Sequence, residues 1–373
     1  MTLSDELVYE WLRTQGLLAS SVPCVVPDCE GTMHLRSSSR NPGGSIFRCN
    51  VDRLHTRNCR ANSFFEKTNL SIQDIILFIK SYLDGCSLGQ CARFSGVSYN
   101  TTAVHWGSYI RELFKEHFHN NIKRKQLSGI IEIDESLFGR RVKHNRGNPN
   151  CGLKIWVFGM VERETNTIIL YPVADRKEET LLPIIQRHCL PGSSIYSDGW
   201  SAYCPWPLND MGYEHFTVIH KYAFKKTYVN AETGEEKSIH TNRIEGAWKH
   251  AKEHFKRMSG TKISQFEGHM AEIMWRNHVK YHLYDGFFNL VKSVYPLNAQ
   301  PTYNYTTPLF ETWAGVPSSE LGDWDIRPGN TDAESDSEVM STPEVSSLRT
   351  VVSDSDDYES IPRNQTASEN TIR

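Results

Sequence analysis

The sequence contains no apolar run of the roughly 18 residues that a bilayer-spanning helix requires, so no membrane-crossing segment is expected. It also lacks a secretory leader, since Met-Thr-Leu-Ser-Asp-Glu supplies neither the basic stretch nor the apolar stretch of one. Together these absences predict an intracellular protein, in which nine cysteines serve as thiols or metal ligands rather than as disulfides. No internal repeat is present, which excludes a solenoid array. Net charge is nearly absent as well, at −3 over 373 residues.

That small charge conceals an asymmetry. Residues 331–373 hold ten acidic and three basic groups, a net of −7, which leaves +4 and all fifteen histidines on the first 330 residues. A mildly basic folded part fits a nucleic-acid partner, although many domains without one carry as much charge. The acidic tail, with "SDSE" and "SDSDDYES", has too few large apolar groups to offset its ordering entropy, and it is expected to be disordered. Its serines beside acids read as solvated linker or as phosphorylation sites.

What is present is a core. Hydrophobic residues make up 39% of the chain, with nine Trp and sixteen each of Tyr and Phe, and at ~100–200 residues per domain the length suggests two or three units. Composition divides the chain into residues 1–68, rich in loops and cysteine; 69–127, helical; 128–300, alternating strand and helix; and 301–373, an extension whose acidic tail begins near 331.

In the first segment Cys24 and Cys29 form one pair and Cys49 and Cys59 another, with His55 between the latter. Two pairs of thiols suggest a closed four-coordinate zinc site in a ribbon-like fold, with His55 able to replace a thiol; free thiols are the alternative. Cys86, Cys91, Cys151, Cys189 and Cys204 are scattered and read as small buried residues. In the second segment "SIQDIILFIKSYLDG" is an amphipathic helix stopped by Gly85. In "SLGQCARFSGVSYNTTAVHW", Ala92, Gly96, Val97 and Ser98 fall as in a helix-turn-helix: a small residue for close approach, a glycine in the turn, a serine to cap the second helix. Thr102 stands where an apolar residue is more usual, and a plain helical hairpin is the other reading. The second helix, 99–109, would enter a major groove through Ser98, Tyr99, Asn100 and Thr101.

The third segment opens with the alternating run "GIIEIDESLFG" and continues as a hairpin around Glu164, Thr165 and Asn166. A helix at 179–188, the strand "SSIYSDGW", the strand "EHFTVIH" and the helix "NRIEGAWKHAK" follow. Three consecutive strands, then helix, strand, strand and helix, suit an α/β fold with a mixed sheet flanked by helices. Three carboxylates occupy telling places: Asp134 within the first strand, Asp198 just past the third apolar strand run, and Glu245 on the first turn of the helix. A carboxylate among Ile131, Ile133 and Leu137 is costly unless it is paired, exposed or bound to a cation. Converging carboxylates could hold two Mg²⁺ or Mn²⁺ ions and promote phosphodiester chemistry. Two of them also have a plain structural reading, Glu245 as partner of a helix-capping Asn242 and Asp198 as a turn residue before Gly199; Asp134 is harder to dismiss, although Glu135 beside it could pair with Arg140 or Arg141. Lys249, Lys252 and Lys256 follow Glu245 on one helix face, as a phosphate track or as a solvated face. One of His220, Lys225 and His240 is expected to touch DNA.

"IEIDESLFGRR", "YSDGWSAY" and "HTNRIEGAWKHAK", in that order, resemble the three catalytic blocks of DDE transposases of the Merlin superfamily and their bacterial insertion-sequence relatives. The resemblance extends through "GSIFRCN", "CRANSFFEKTNLSIQDIILFIKSYLDGCSLGQCARFSGVS" and "MAEIMWRNH", covering residues 45–285. It implies a ribonuclease-H-like fold, binding of double-stranded DNA at element ends, and metal-dependent cleavage and strand transfer. Asp134, Asp198 and Glu245 would be the catalytic acids. An assembly of two or more subunits is implied too, in the nucleus of a eukaryotic host or otherwise in the cytoplasm. The rivals are a domesticated DNA-binding protein without catalysis and a nuclease of branched DNA.

Overall fold

The computed structural model of the protein describes residues 4–139, 155–203, 207–218, 226–230, 234, 236–258, 261–297, 325–326 and 348–351. Helix α1 (Asp5–Thr14) leads into an antiparallel sheet of β1 (Ser21–Pro23), β2 (Thr32–Ser37), β3 (Ser45–Cys49) and β4 (Thr56–Asn58), in that spatial order. The sheet covers a small core of Ala19, Val22, Met33, Phe47, Cys49 and Ala61. So few side chains, at ~1.5–3 kcal/mol for each large one buried, give little stability of their own.

Three helices follow. In α2 (Ile72–Leu83) the Ser71 hydroxyl caps the first turn, accepting the Asp74 N–H at 3.0 Å. Helix α3 (Leu88–Ser95) starts with a reciprocal Ser87/Gln90 capping box and ends at Gly96, whose φ of +70° is the left-handed conformation glycine adopts freely. A wide π turn, Tyr99–Ala103, then runs into α4 (Val104–His117). Gly107 lets α3 and α4 meet: a Cβ there would lie 2.8 Å from Leu88. The expected small Ala92 and turn glycine are in place, but Ser98 does not cap through its side chain. Its hydroxyl instead accepts from the Thr101 hydroxyl at 3.2 Å. The helix it precedes also runs beyond 109, because Ile110, Leu113 and Phe114 continue its buried stripe.

The central sheet has the order β7-β6-β5-β8-β9, formed by β5 (Ile130–Phe138), β6 (Ile155–Glu162), β7 (Ile168–Val173), β8 (Ser194–Ser197) and β9 (Glu214–Thr217). Strands β5, β6 and β7 pair antiparallel, whereas β5–β8 and β8–β9 pair parallel. Helix α5 (Glu178–His188) makes the crossover from β7 to β8 that a parallel neighbour requires, and the short α6 (Pro207–Asp210) precedes β9. A hairpin of β10 (Lys226–Asn230) and β11 (Glu236–Ile239) leads into α7 (Asn242–Arg257), followed by α8 (Ile263–Val279) and α9 (Leu283–Val294). Helix α7 packs on β5 and β6, and α8 packs on β7 and α4. The mixed α/β architecture is the one expected. Of the acidic tail, residues Leu348–Val351 are described, as a strand antiparallel to β10; the rest, with Arg140, Arg141, Cys151, Cys204, His220 and Lys225, lies outside the described residues.

A buried polar seam joins the helical segment to the sheet segment. Glu272 on α8, 2% exposed, accepts the Tyr82 hydroxyl of α2 at 2.7 Å and Arg276 Nε at 2.9 Å. The Arg276 guanidinium also donates to the carbonyls of Leu83 and Tyr82, at 2.8 and 3.0 Å. His254 of α7 and His269 of α8 hydrogen-bond at 3.1 Å, and each lies 3.7 Å from Glu272. Burial is the main reason that the His254 imidazole is pushed down to about 4 and favours its neutral form.

Candidate active site

Asp134 sits midway along the central strand and faces α7. Its Oδ2 accepts the Trp248 indole N–H at 2.8 Å and its Oδ1 accepts the Glu135 backbone N–H at 2.8 Å. The indole reaches it because the residue opposite Asp134 on β6 is Gly159, where a Cβ would fall 2.6 Å from the Trp248 ring and 2.8 Å from Ile244. Burial first, then the charge of Asp198, and least the charge of Glu245, raise the Asp134 carboxyl to about 7 against the pull of Trp248 and the Glu135 N–H. Glu135 is raised well above its usual value, by burial and then by Asp198 and Asp134, and its Oε1 is buried with no hydrogen-bond partner.

Strand pairing brings the second acid alongside. The last registered β5–β8 pair is Glu132↔Tyr196, and two residues further on come Asp134 and Asp198. Asp198 forms the expected turn: its Oδ1 accepts the Trp200 N–H at 3.1 Å, and Gly199 takes a φ of +83°.

The third acid, Glu245, lies exposed on the first turn of α7, where its Oε1 accepts the Thr241 hydroxyl at 3.2 Å. Asn242 is the first helical residue rather than the cap, which corrects the capping-box reading. The cap position is Thr241, without a side-chain cap bond. The group that satisfies the helix terminus comes from the sheet. Glu132, fully buried on β5, accepts the N–H groups of Arg243 and Ile244 at 2.8 and 3.1 Å. Its other oxygen accepts Arg163 Nε at 2.6 Å, and Arg163 in turn donates to the His240 carbonyl at 2.5 Å and lies over the Tyr196 ring. Sequence reading missed Glu132, although its position two residues before Asp134 places it on the same face of β5.

Asp134, Asp198 and Glu245 therefore share one neighbourhood, but they are not among the groups of three or more metal-capable atoms within 4.8 Å of one another that the described residues contain. The donor set is all carboxylate oxygen, and no ion pair to Asp134 is present among the described residues, which suits a hard divalent cation. Lys249 and Lys256 are exposed; Lys252 is half-buried, with its ammonium 6.0 Å from the Phe138 ring centroid and its pKa lowered chiefly by burial. Ser98, Tyr99, Asn100 and Thr101 are all exposed at the start of the π turn.

The cysteine cluster is a second candidate metal site, with a corrected ligand set. Cys24, Cys29, Cys49 and His55 converge, their ligand atoms within 4.8 Å of one another. Cys29 and Cys49 sulfurs lie 3.7 Å apart, and Cys24 Sγ lies 3.5 Å from His55 Nδ1. Bonds of ~2.0–2.3 Å around tetrahedral zinc give edges of about that length. The far nitrogen of His55 lies 3.4 Å from Asp52, the outer carboxylate that commonly orients a metal-bound imidazole. Gly31 makes room, since a Cβ there would strike the Cys49 sulfur at 2.3 Å. Cys59 is not in this set. It is buried in the main core near Tyr9, and burial raises its thiol pKa.

With this geometry in view, the class of the relatives can be given: the central segment is similar to transposase domains. Residues 126–278 match the family model of the ISXO2-like transposase domain. Over 104 residues the chain is 29% identical to an uncharacterised transposase-like protein of Haemophilus influenzae, a stretch that is 28% of this chain and 75% of that protein. Among solved structures it is similar to a simian T-cell lymphotropic virus intasome in complex with PP2A regulatory subunit B56 gamma, at 13% identity and a TM-score of 0.27, covering 62% of this chain and 80% of that one. It is also similar to a pre-cleavage Mos1 transpososome, at 10% identity and a TM-score of 0.15, covering 61% and 78%.

Proposed function

We propose that the protein is a DNA transposase, or a host protein descended from one, that binds double-stranded DNA at element ends and cuts and joins it at Asp134, Asp198 and Glu245. The observation that carries this reading is the parallel pairing of β5 with β8, which sets Asp134 beside Asp198 within an ISXO2-like transposase domain. The sheet order, three antiparallel strands followed by two parallel ones, supports a ribonuclease-H-like domain over about 128–300. The Cys24/Cys29/Cys49/His55 set supports a structural Zn²⁺ in a ribbon-like unit over 1–68. The left-handed Gly96 between α3 and α4 supports a helix-turn-helix within 69–127.

Asp134, Asp198 and Glu245 are the residues that would hold two Mg²⁺ or Mn²⁺ ions. When bound, such ions polarise the attacking oxygen and steady the leaving oxygen. The chain supplies the placement: Trp248 fixes one Asp134 oxygen, the turn at Gly199 fixes Asp198, and Glu132 ties the first turn of α7 to β5. In the first step a water oxygen attacks phosphorus as the bond to the 3′-oxygen breaks; the water gives a proton to solvent, and the departing 3′-oxygen takes one up to become a 3′-hydroxyl, leaving a 5′-phosphate. In the second step that hydroxyl gives its proton to solvent and attacks a target phosphodiester, and the displaced 3′-oxygen of the target takes up a proton as its P–O bond breaks. Two element ends must meet, so the working form has two or more subunits. It acts in the nucleus of a eukaryotic host and otherwise in the cytoplasm.

The test is metal-dependent nicking and joining of a labelled terminal-repeat duplex to plasmid. Asp134→Asn, Asp198→Asn and Glu245→Gln should each abolish both steps, and an unchanged rate in any of them removes that residue from the site. The open spacing of the three acids favours a second reading, a domesticated DNA-binding protein without catalysis. Absence of flanking inverted repeats, together with DNA binding without nicking, would select it.

A further inference from the structure

Arg176 follows β7 in a half-buried position, with its guanidinium carbon 3.9 Å from the centroid of the Trp156 ring and 3.9 Å from that of Trp200. The cation therefore lies at cation–π distance from two indole rings. The Trp200 indole N–H closes the clamp by donating to the Arg176 carbonyl at 3.0 Å. The guanidinium N–H groups themselves make no hydrogen bond or ion pair to any described residue, and none of the side-chain nitrogens is among the buried polar atoms that lack a partner. Its charge acts on the buried Glu135 carboxyl, which it pulls down against burial, and no described residue takes up its N–H donors.

The clamp is attached to the Asp198 loop. Trp200 is two residues beyond Asp198, and its backbone N–H is the donor to the Asp198 carboxylate at 3.1 Å. Trp156 stands on β6 opposite Leu137 of β5, three residues past Asp134 and therefore on the other face of the sheet. A structural staple alone would be served as well by an apolar side chain between two indoles. A guanidinium packed against two indoles differs in that part of its rotational freedom is already lost, so its fork of donors can meet a planar pair of anionic oxygens at a lower entropic cost. Stacking on aromatic faces leaves that edge free.

We propose that Arg176, packed against Trp156 and Trp200 beside the Asp198 loop, is a DNA-phosphate contact that receives a backbone phosphate of the bound duplex outside the cut at Asp134 and Asp198. The proposal rests on the DNA-cutting reading above, and it adds a specific anion site to it. Lysine would carry the charge but not the stacked fork, whereas glutamine would carry neither.

The experiment measures binding of the full chain to a mixed-sequence 40-base-pair duplex between 50 and 200 mM NaCl. Each phosphate neutralised contributes about 0.9 to the slope of log affinity against log salt. Arg176→Gln should lower the slope by about 0.9 with melting temperature retained, and Arg176→Lys should keep the slope while weakening binding. An unchanged slope in a folded Arg176→Gln chain overturns the proposal and leaves the transposase reading standing. A parent chain that neither binds nor nicks duplex overturns both. Should the variants unfold, phenylglyoxal modification of the parent chain, read by mass spectrometry, decides the matter: duplex should protect Arg176 several-fold, and equal modification with and without duplex overturns the contact.

Discussion

Gly159 and Gly246 are both glycines beside the acids, yet their surroundings demand opposite outcomes from the same change. At Gly159 a methyl group would occupy space held by the Trp248 ring and Ile244, while at Gly246 in α7 nothing lies within 4 Å of the added carbon. Gly159→Ala is expected to cost ~1–3 kcal/mol as overpacking and to lift the indole off Asp134, reducing nicking. Gly246→Ala is expected to raise stability by ~0.5–1 kcal/mol as a better helix former. Urea unfolding of the two variants checks both signs. Glu132 is the other residue whose role is sharply defined. Glu132→Gln leaves the mostly buried Arg163 without its anion and weakens the cap on α7, at an expected ~3 kcal/mol. The same denaturation assay measures it, and an unchanged midpoint would remove the cap from the account.

At the scale of elements, the N-terminal sheet frames the Cys24/Cys29/Cys49/His55 cluster. Its core is too small to dominate the unit's stability, so the chain should contain about one zinc by elemental analysis if the cluster is four-coordinate. His55→Ala should lose that metal and expose the sheet to proteolysis, while Cys59→Ser should retain it. Equal zinc content in both variants would refute the revised ligand set. The element scale also shows what local sequence can specify. Both halves of the hairpin at Asn166, the left-handed stop at Gly96, and the positions of Asp134 and Asp198 relative to their strands follow from local pattern and turn chemistry. The true cap of α7 does not, because Glu132 is more than 100 residues away in sequence and only the fold brings it to Arg243 and Ile244. The zinc ligand set escapes sequence for a similar reason. Spacing can present His55 and Cys59 equally, and only the path of β4 sends Cys59 into the main core. The Arg176 clamp carries no sequence signal at all, since Trp156 and Trp200 are 44 positions apart and meet only through the sheet.

Across the whole molecule, buried neutral histidines govern the response to acid. His117, His188 and His254 are each pushed down to about 4, mainly by burial, on α4, α5 and α7. His188 is fully buried between the Lys125 carbonyl, at 2.7 Å, and the Tyr171 hydroxyl, at 2.9 Å. An unfolded chain takes up these protons near 6.5 and the folded chain only near 4, so the stability they contribute is complete above pH 6.5 and is lost progressively as pH falls toward 4. Each such proton contributes a slope of ~1.4 kcal/mol per pH unit within that window. Unfolding free energy measured at pH 7, 5.5 and 4.5 should fall accordingly, and a flat profile would rule these groups out as the determinant.

If the protein cuts DNA as proposed, the seam of Tyr82, Glu272 and Arg276 bears on the distance between its grip and the cut. It ties α2 to α8, and α8 in turn packs on β7 and α4, so packed elements run from the π turn at Tyr99 to the sheet that bears Asp134. A tool built on a rigid frame makes its incision at one offset from its handle. The number of base pairs between the contacted groove and the broken bond should therefore be constant from one DNA end to the next.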